Sequence, residues 1–419
     1  MLSVRIACLL AIASLARVDI DGQSATSRSA AARPADPASA PRIPPLPERE
    51  WTSLQRDLAA AYSQGARPTN DLRTFLAHPD LVSGSMPFAT YIAQESTLPR
   101  RDRAVLILRT AWMSRSSYMW AKFAGRAVAW GLAPDDLTRI ATGTNAYETL
   151  RADAPLLRAA DELHIASFVS NDTWTALAAK YSTEQLMDVV FTVAELTMLS
   201  GTVNAARTPI DDEFTARMPG ERLDVVRQPS ARQTHTPLIT PRIPPLEPTF
   251  WTGEIRAMLD PDNTGRDVAA VYRTFARHPA LYVPRQILSE HIRLKNTLPP
   301  RVREMAILRI GFLCGSEYEW AAHARAGRAA GLSDDEIKRI ASGPGAGWNA
   351  KDTAVLRAVD ELFADDDVTE ATWKALTAQF DRKQQLDFLI TAGGYRMVSM
   401  ALNTFGVPLE ENSERLPSR

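Results

Sequence analysis

The chain has 419 residues, enough for two or three domains with their own cores. Its 48 basic and 49 acidic residues nearly cancel, and no run of like charges occurs, so the composition excludes a typical nucleic-acid-binding surface. Beyond the N-terminus no apolar stretch approaches the length that spans a bilayer, and we expect neither nucleic-acid nor membrane partners.

The N-terminus has the features of a secretory signal peptide. Arg5 is basic, residues 6–16 are apolar, and Ser14-Leu15-Ala16 places small residues where a signal peptidase reads them. The Ala-, Pro- and Ser-rich residues that follow predict a disordered tether. A misassigned start codon would also explain the segment. With a true signal the protein is periplasmic or secreted, and otherwise it is cytoplasmic.

The rest of the chain repeats one pattern. PRIPPL begins at Pro41 and again at Pro241, and Thr97-Leu98-Pro99 recurs as Thr297-Leu298-Pro299. We interpret this as a tandem duplication, because self-similarity at a fixed offset is typical of repeated units. The predicted segments are a signal peptide and tether (1–40), a first domain (41–209), a linker (210–240), a second domain (241–409) and a tail (410–419).

The hydrophobic pattern within each unit has the helical period. In the second unit Pro300 suits a helix start, and the following RVREMAILRIGFL has apolar residues on one stripe. Gly315 ends that helix, and the next runs from Ser316 to Gly331. A capping box at Ser333 begins another helix, and further helices are predicted at 352–363, 369–380 and 384–402. Alternating strand patterns are absent, so we predict an all-α fold.

Five polar side chains of the second unit are replaced in the first. Drift on a solvated surface would rarely exchange Glu319 and His323 for Met and Phe, so we expect an enclosed site that, in the first unit, is closed over with apolar side chains. We take the five as candidate catalytic residues. They are His291, Glu304, Cys314, Glu319 and His323, and they correspond to Tyr91, Ala104, Ser114, Met119 and Phe123.

These residues also have structural explanations. Ser316 and Glu319 fit a capping box worth about 1 kcal/mol, and Glu319 and His323 are spaced as a simple i,i+4 helix pair. A lone cysteine such as Cys314 is often a small core residue, and a single histidine such as His291 is commonly structural. His78 and His278 occur in both units, which favours a structural role.

The span TLPPRVREMAILRIGFLCGSEYEWAAHARAGRAAGLSDDEIKRI (297–340) resembles the core motif of the carboxymuconolactone decarboxylase family, which includes the AhpD-like alkylhydroperoxidases. The resemblance implies an all-helical fold that needs no cofactor and binds a small-molecule substrate. Family members assemble through helix pairs, so two copies in one chain would form a covalent pseudo-dimer. We therefore expect a homo-oligomer, a dimer or trimer of tandem chains.

The AhpD-like branch of the family carries Glu followed by Cys-x-x-Cys-x-x-x-His. Glu304 and His323 match this motif, but Ser316 and Glu319 occupy both cysteine positions. The chain's other cysteine, Cys8, lies in the predicted signal peptide, so a mature chain has no second thiol to resolve a disulfide. A peroxiredoxin-like antioxidant that uses Cys314 with an external thiol is the alternative left open.

The decarboxylase branch, which acts on carboxylated lactones, has the Glu and His without the cysteine pair. This resemblance implies acid/base chemistry on a small carboxylic acid or lactone, by decarboxylation, dehydration or isomerisation. His323 would be the general acid/base, with Glu319 and Glu304 as its partners, in a cofactor-free carbon–carbon lyase. A non-catalytic helical scaffold that binds a small ligand is the remaining alternative.

Overall fold

The structure is a computed structural model that describes residues 40–142, 145–217, 235–411 and 413–417. Within these ranges the regular elements are helices, with no strand, so the predicted all-α fold is confirmed. The predicted signal peptide with Cys8, nearly all of the tether and most of the predicted linker lie outside the described residues. From residue 41 onwards the described residues form one compact unit.

The described part of the first half contains ten α-helices, and a π-helix, Tyr91–Glu95, directly follows the third. The α-helices are α1 (Ser53–Ser63), α2 (Asn70–Phe75), α3 (Pro79–Thr90), α4 (Arg100–Met113), α5 (Ser117–Ala129), α6 (Pro134–Ile140), α7 (Ala146–Thr149), α8 (Ala154–Ala166), α9 (Asn171–Ala178) and α10 (Thr183–Ala206).

The described part of the second half contains nine α-helices, and the π-helix His291–Lys295 stands at the corresponding place. They are α11 (Gly253–Leu259), α12 (Ala270–Phe275), α13 (Pro279–Glu290), α14 (Pro300–Leu313), α15 (Glu317–Ala329), α16 (Asp334–Ser342), α17 (Ala350–Asp365), α18 (Glu370–Thr377) and α19 (Arg382–Phe405). Each matches a helix of the first half in order, and α7 has no counterpart among them. Short 3₁₀ segments lie at Glu48–Glu50, Arg151–Asp153, Asp212–Arg217 and Pro248–Phe250.

The helix boundaries follow the local sequence. Helix α14 begins at Pro300 as predicted, and Gly315 adopts a φ of +66°, which suits a glycine and separates α14 from α15. The capping box at Ser333 forms, because its hydroxyl accepts from the Glu336 amide while the Glu336 carboxylate accepts from the Ser333 amide. The predicted helices 352–363, 369–380 and 384–402 correspond to α17, α18 and α19, and α19 is longer at both ends.

The two halves pack against each other chiefly through α10 and α19, which are buried along most of their length. Helix α10 is long and apolar enough to cross a membrane, which the sequence analysis did not recognise, but nearly all of its most apolar stretch is buried. Burial on all sides accounts for a helix that is hydrophobic all round.

Contacts between the halves come in exchanged pairs. Arg42 of the first half donates to the carbonyl oxygen of Val368 at 2.7 Å, and Arg242 of the second half donates to that of Val169 at 2.7 Å. The two arginines occupy the same position of the repeated PRIPPL sequence. Such exchange of equivalent contacts is the pattern of an isologous, two-fold interface.

Candidate active site

A cavity of about 900 Å³ lies in the second half, with walls from α12, α13, the following π-helix, α14, α15 and α19. Residues near the C-terminus also contribute, among them Glu410, which lies in the predicted tail. The volume is in the range of pockets that bind small molecules. Three of the five candidate residues, Glu304, Glu319 and His323, line this cavity.

His323 lies between two buried glutamates. Its Nδ1 is 2.6 Å from Oε2 of Glu304 on α14, and its Nε2 is 3.4 Å from Oε2 of Glu319, one turn earlier on α15. Since an ionised carboxylate only accepts hydrogen bonds, we assign the proton to Nδ1. Nε2 is then unprotonated and lies on the side of Glu319. A carboxylate that fixes the tautomer of an imidazole is a common feature of acid/base sites.

The surroundings push the pKa values of the two glutamates in opposite directions. Burial raises the pKa of Glu319, and the charge of Glu304 adds to this, against opposing effects of His323 and Arg285. Burial alone would raise the pKa of Glu304 as well, but the hydrogen bond and charge of His323, together with Arg303, lower it below its usual value. One carboxyl is therefore held charged while the other retains its proton to higher pH.

The capping box predicted for Ser316 and Glu319 is wrong. Ser316 is the N-cap of α15, but its hydroxyl makes no capping hydrogen bond and is buried without a partner among the described residues. The Glu319 carboxylate points to His323 instead of back to the Ser316 amide. In the first half the equivalent Ser116 does cap its helix, with Met119 at the third position. The i,i+4 pairing of Glu319 and His323 is present, as the helical spacing suggested.

Two further residues of the site were missed by the sequence analysis. The Tyr395 ring packs edge-on against His323, with ring centroids 4.6 Å apart, and the buried Arg285 lines the same cavity. The corresponding residues of the first half are Leu196 and Ser85. At both positions the halves therefore differ as they do at Glu319 and His323. A comparison of the two halves could have identified these residues from the sequence.

Cys314 lies apart from this cluster. It is the C-cap of α14, its side chain is buried, and among the described residues it does not line the cavity. Burial raises the pKa of its thiol. A peroxidatic thiol needs the opposite, a lowered pKa and access to solvent. The backbone carbonyl of Cys314 accepts a hydrogen bond from Asn403, so the position has a structural role in any case.

His291 also lies outside the cluster, in a contact between the two halves. Its Nε2 is 2.8 Å from Oδ1 of Asp387, and Nε2 of His78 from the first half is 3.1 Å from the other oxygen. The Asp387 carboxylate also accepts from the amide and hydroxyl of Thr297. These contacts agree with a structural explanation of His291. The three side chains could offer ligand atoms to a metal, since these atoms lie within 4.8 Å of one another.

The corresponding cluster of the first half makes the same contacts without the second histidine. Tyr91 donates to Oδ1 of Asp188 at 2.8 Å, and Nε2 of His278 from the second half is 3.3 Å from the same oxygen. Tyr91 stands where the second half has His291 and holds the equivalent carboxylate. Tyr91 in place of His291 therefore preserves a hydrogen bond to the carboxylate.

Residues 279–361 match the model of the carboxymuconolactone decarboxylase family. The matched segment runs from the start of α13 into α17 and includes Arg285, Glu304, Glu319 and His323. The resemblance inferred from the sequence is confirmed for this segment, which is about a fifth of the chain. No curated protein matches the chain.

Proposed function

We propose that the second half of the chain, which carries the carboxymuconolactone decarboxylase family segment, is a cofactor-free acid/base enzyme. Its substrate is a small carboxylic acid or lactone with a carbonyl group, and its reaction is a decarboxylation, dehydration or isomerisation. The observation that carries the proposal is the position of His323 between Glu304 and Glu319 at the wall of a cavity of about 900 Å³.

The three reactions share one requirement, a proton transfer at the carbon beside a carbonyl. In a decarboxylation the bond from this carbon to the carboxylate breaks, CO₂ leaves, and the electron pair passes into an enolate. Glu319, whose pKa burial raises, first gives its proton to the unprotonated Nε2 of His323, while ionised Glu304 stabilises the imidazolium through Nδ1. Nε2 then gives this proton to the enolate carbon, and Glu319 takes a new proton from water.

In an isomerisation or dehydration the same group acts first as a base. Neutral Nε2 removes the proton beside the carbonyl, and the resulting imidazolium is stabilised by the Glu304 carboxylate. The proton is returned at another carbon, or to a departing hydroxyl group that leaves as water. The arrangement of His323, Glu304 and Glu319 thus supports one proton-transfer step in all three reactions.

The peroxiredoxin-like alternative has less support. Cys314 is buried, its pKa is raised, and among the described residues it does not line the cavity. Positions 316 and 319 hold Ser and Glu, so the cysteine pair of the AhpD-like motif is missing from this part of the chain. A non-catalytic scaffold would bind its ligand in the same cavity but would not convert it to a product.

The test is exchange of hydrogen for deuterium beside a carbonyl. The purified chain is incubated in D₂O with a panel of small oxo acids and carboxylated lactones, and proton NMR follows label uptake, double-bond shifts and CO₂ loss. We expect catalysed exchange or CO₂ loss on part of the panel, lowered on the order of a hundredfold or more by His323→Gln. Gln fills similar space but does not titrate.

The control is Cys314→Ser, which removes the thiol and leaves the imidazole cluster intact. Turnover that survives His323→Gln but not Cys314→Ser would overturn the proposal in favour of thiol chemistry. Saturable binding of panel members with no exchange, double-bond shift or CO₂ loss would instead support the scaffold.

A further inference from the structure

Arg285 on α13 is a buried cation without a counter-ion in the part of the chain that the structure describes. Its side chain is 5% exposed, and its Nε has no hydrogen-bond partner among the described residues. In the same part of the chain it forms no salt bridge, and its guanidinium lies over the ring of Phe275 at 4.8 Å. Burial lowers the pKa of Arg285, which is the cost of desolvating a charge.

The other deeply buried arginines of this fold have hydrogen-bond or salt-bridge partners within the protein. A buried guanidinium normally pairs with a carboxylate, because an uncompensated charge in the interior is strongly destabilising. Arg103 has no such carboxylate among the described residues, but it donates to the carbonyl of Ile92. The paired arginines are Arg109 with Asp161, Arg309 with Asp360 and Arg396 with Asp366, at 2.7, 2.6 and 2.7 Å.

The cavity is the place where Arg285 can find its missing partner. Arg285 lines the same cavity as Glu319 and Tyr395, and its charge acts on the Glu319 carboxyl without a salt bridge between them. The other arginines that line the cavity, such as Arg293, Arg303 and Arg325, are partly or fully exposed to solvent. Arg285 is therefore the cation whose burial a bound anion would compensate most.

We propose that the cavity binds its substrate through a carboxylate held by Arg285, and that this carboxylate is retained in the product. The inference rests on the proposed function and names its substrate class, a carboxylic acid that keeps a carboxylate in the product. A planar carboxylate can accept two parallel hydrogen bonds from a guanidinium, which fixes both position and orientation. The carbon beside the carbonyl is then presented to His323.

The retained carboxylate follows from the charge flow of the reaction. A carboxylate that leaves as CO₂ must give its electron pair to the neighbouring carbon, and a guanidinium bound to it would stabilise the charge where it starts. Arg285 would then slow the reaction. If the enzyme decarboxylates, the substrate must carry a second anionic group for Arg285. If it isomerises or dehydrates, one carboxylate is enough.

The test is binding of simple carboxylates to the full chain. Levulinate and the straight-chain dicarboxylates from succinate to adipate are titrated by calorimetry, next to the neutral methyl esters. At least one carboxylate should bind saturably, and Arg285→Met should weaken it at least tenfold, or about 1.4 kcal/mol. The matched control Arg325→Met removes an exposed arginine of the same cavity and should change the Kd less than twofold.

A second measurement does not depend on the folding of a variant. In the unaltered protein, the Nε–H resonance of Arg285, assigned by through-bond NMR experiments on the wild type, should shift and saturate with the carboxylates only. No carboxylate response, or an equal response to the esters, overturns the inference.

His323→Gln separates this inference from the proposed function. That variant should bind the carboxylates as the wild type does, because the anion is held at a different residue. Intact binding with turnover that ignores His323 would sink the proposed function alone. Turnover that needs His323, without binding that needs Arg285, would sink the anion site alone.

Discussion

Apart from α7, the described parts of the two halves have corresponding helices in the same order, but they fill the space around α15 and its counterpart α5 differently. In the second half this space is a cavity with a histidine, two glutamates and an arginine in its walls. In the first half the corresponding residues are Phe123, Met119, Ala104 and Ser85, and all four are buried. The backbone therefore forms with either set.

Burying the polar side chains of the second half costs the fold stability. Buried Glu304 and Glu319 have to be desolvated, and Arg285 is buried without a counter-ion among the described residues. The first half shows that uncharged side chains can occupy the equivalent places. Groups that a fold can do without, and that are costly to bury, indicate function rather than stability.

The largest predicted effect concerns a position that is the same in both halves. Asp188 and Asp387 each hold a histidine from the opposite half, so Asp188→Asn and Asp387→Asn should each lower the free energy of unfolding at pH 7 by about 3–5 kcal/mol. Burial would raise the pKa of each carboxyl, but the histidine and hydroxyl hydrogen bonds outweigh it and lower the pKa.

The sign of the pH dependence follows from that lowered pKa. Each ionised carboxylate contributes stability above its unfolded pKa of about 4, and this contribution is lost as pH falls towards the lower folded value. Urea unfolding at pH 7 and at about pH 3 measures this. Both variants should lower the free energy of unfolding less at pH 3 than at pH 7. A loss of turnover in Asp387→Asn alone, at unchanged stability, would instead make that cluster a functional or metal site.

The second prediction concerns His323, which the first half replaces with a phenylalanine. His323→Phe gives the second half the ring that the first half already has, and should lower the rate of proton exchange at least on the order of a hundredfold. Phe123→Leu is the matched control and should cost less than about 1.5 kcal/mol of stability without a change in rate. A similar fall in rate from both variants, at equal folded fraction, would show that the first half takes part in the chemistry.

The third prediction concerns Glu195, which corresponds to Gly394 of the cavity wall. Its carboxyl is fully buried, no hydrogen-bond partner is found for it in the described part of the chain, and burial raises its pKa to about 8. The folded state thus holds a proton that the unfolded state releases at about pH 4.3. Stability is full below that pH and falls as pH rises towards the folded pKa.

A shift of this size corresponds to several kcal/mol, and relaxation around the charge reduces it, so we expect a loss of about 2 kcal/mol between pH 5 and pH 8.5. Glu195→Gln should abolish this pH dependence and leave turnover unchanged. Denaturant unfolding at both pH values measures it. A wild-type stability that does not fall over this range would mean that Glu195 has a partner or reaches solvent.

Most of the fold could be predicted from the sequence, because helix starts and stops depend on neighbouring residues. Pro300, Gly315 and Ser333 each marked a boundary that the structure shows within a residue or two. The contacts across the halves could not be predicted in this way. Nothing near His78 in the sequence indicates that it reaches Asp387.

The candidate site was predictable in part, and for the same physical reason. Glu319 and His323 are neighbours on one helical face, so their spacing alone brings them together. The contact of Glu304 with His323 joins two helices, so spacing along one helix could not predict it, and the family motif suggested it instead. The role of His291 stays a prediction: its exchange for tyrosine resembles a lost function, but both residues bind the same type of carboxylate.

The smallest predicted effect belongs to Cys314. The first half has Ser114 at the same position, and both side chains are buried at the end of equivalent helices. Since burial raises the pKa of the thiol, Cys314 is protonated at neutral pH and is a poor nucleophile. Cys314→Ser should then change turnover less than about tenfold, or 1.4 kcal/mol.

The same variant also measures how far the two halves can be made alike without loss. Peroxide consumption with an external thiol should be equal in Cys314→Ser and wild type, because the thiol is neither ionised nor exposed. Thiol alkylation of the folded chain should likewise be slow and should quicken only on unfolding. Fast alkylation together with a dead Cys314→Ser would reverse the roles of thiol and imidazole, and the difference that matters between the halves would be Cys314 against Ser114 rather than His323 against Phe123.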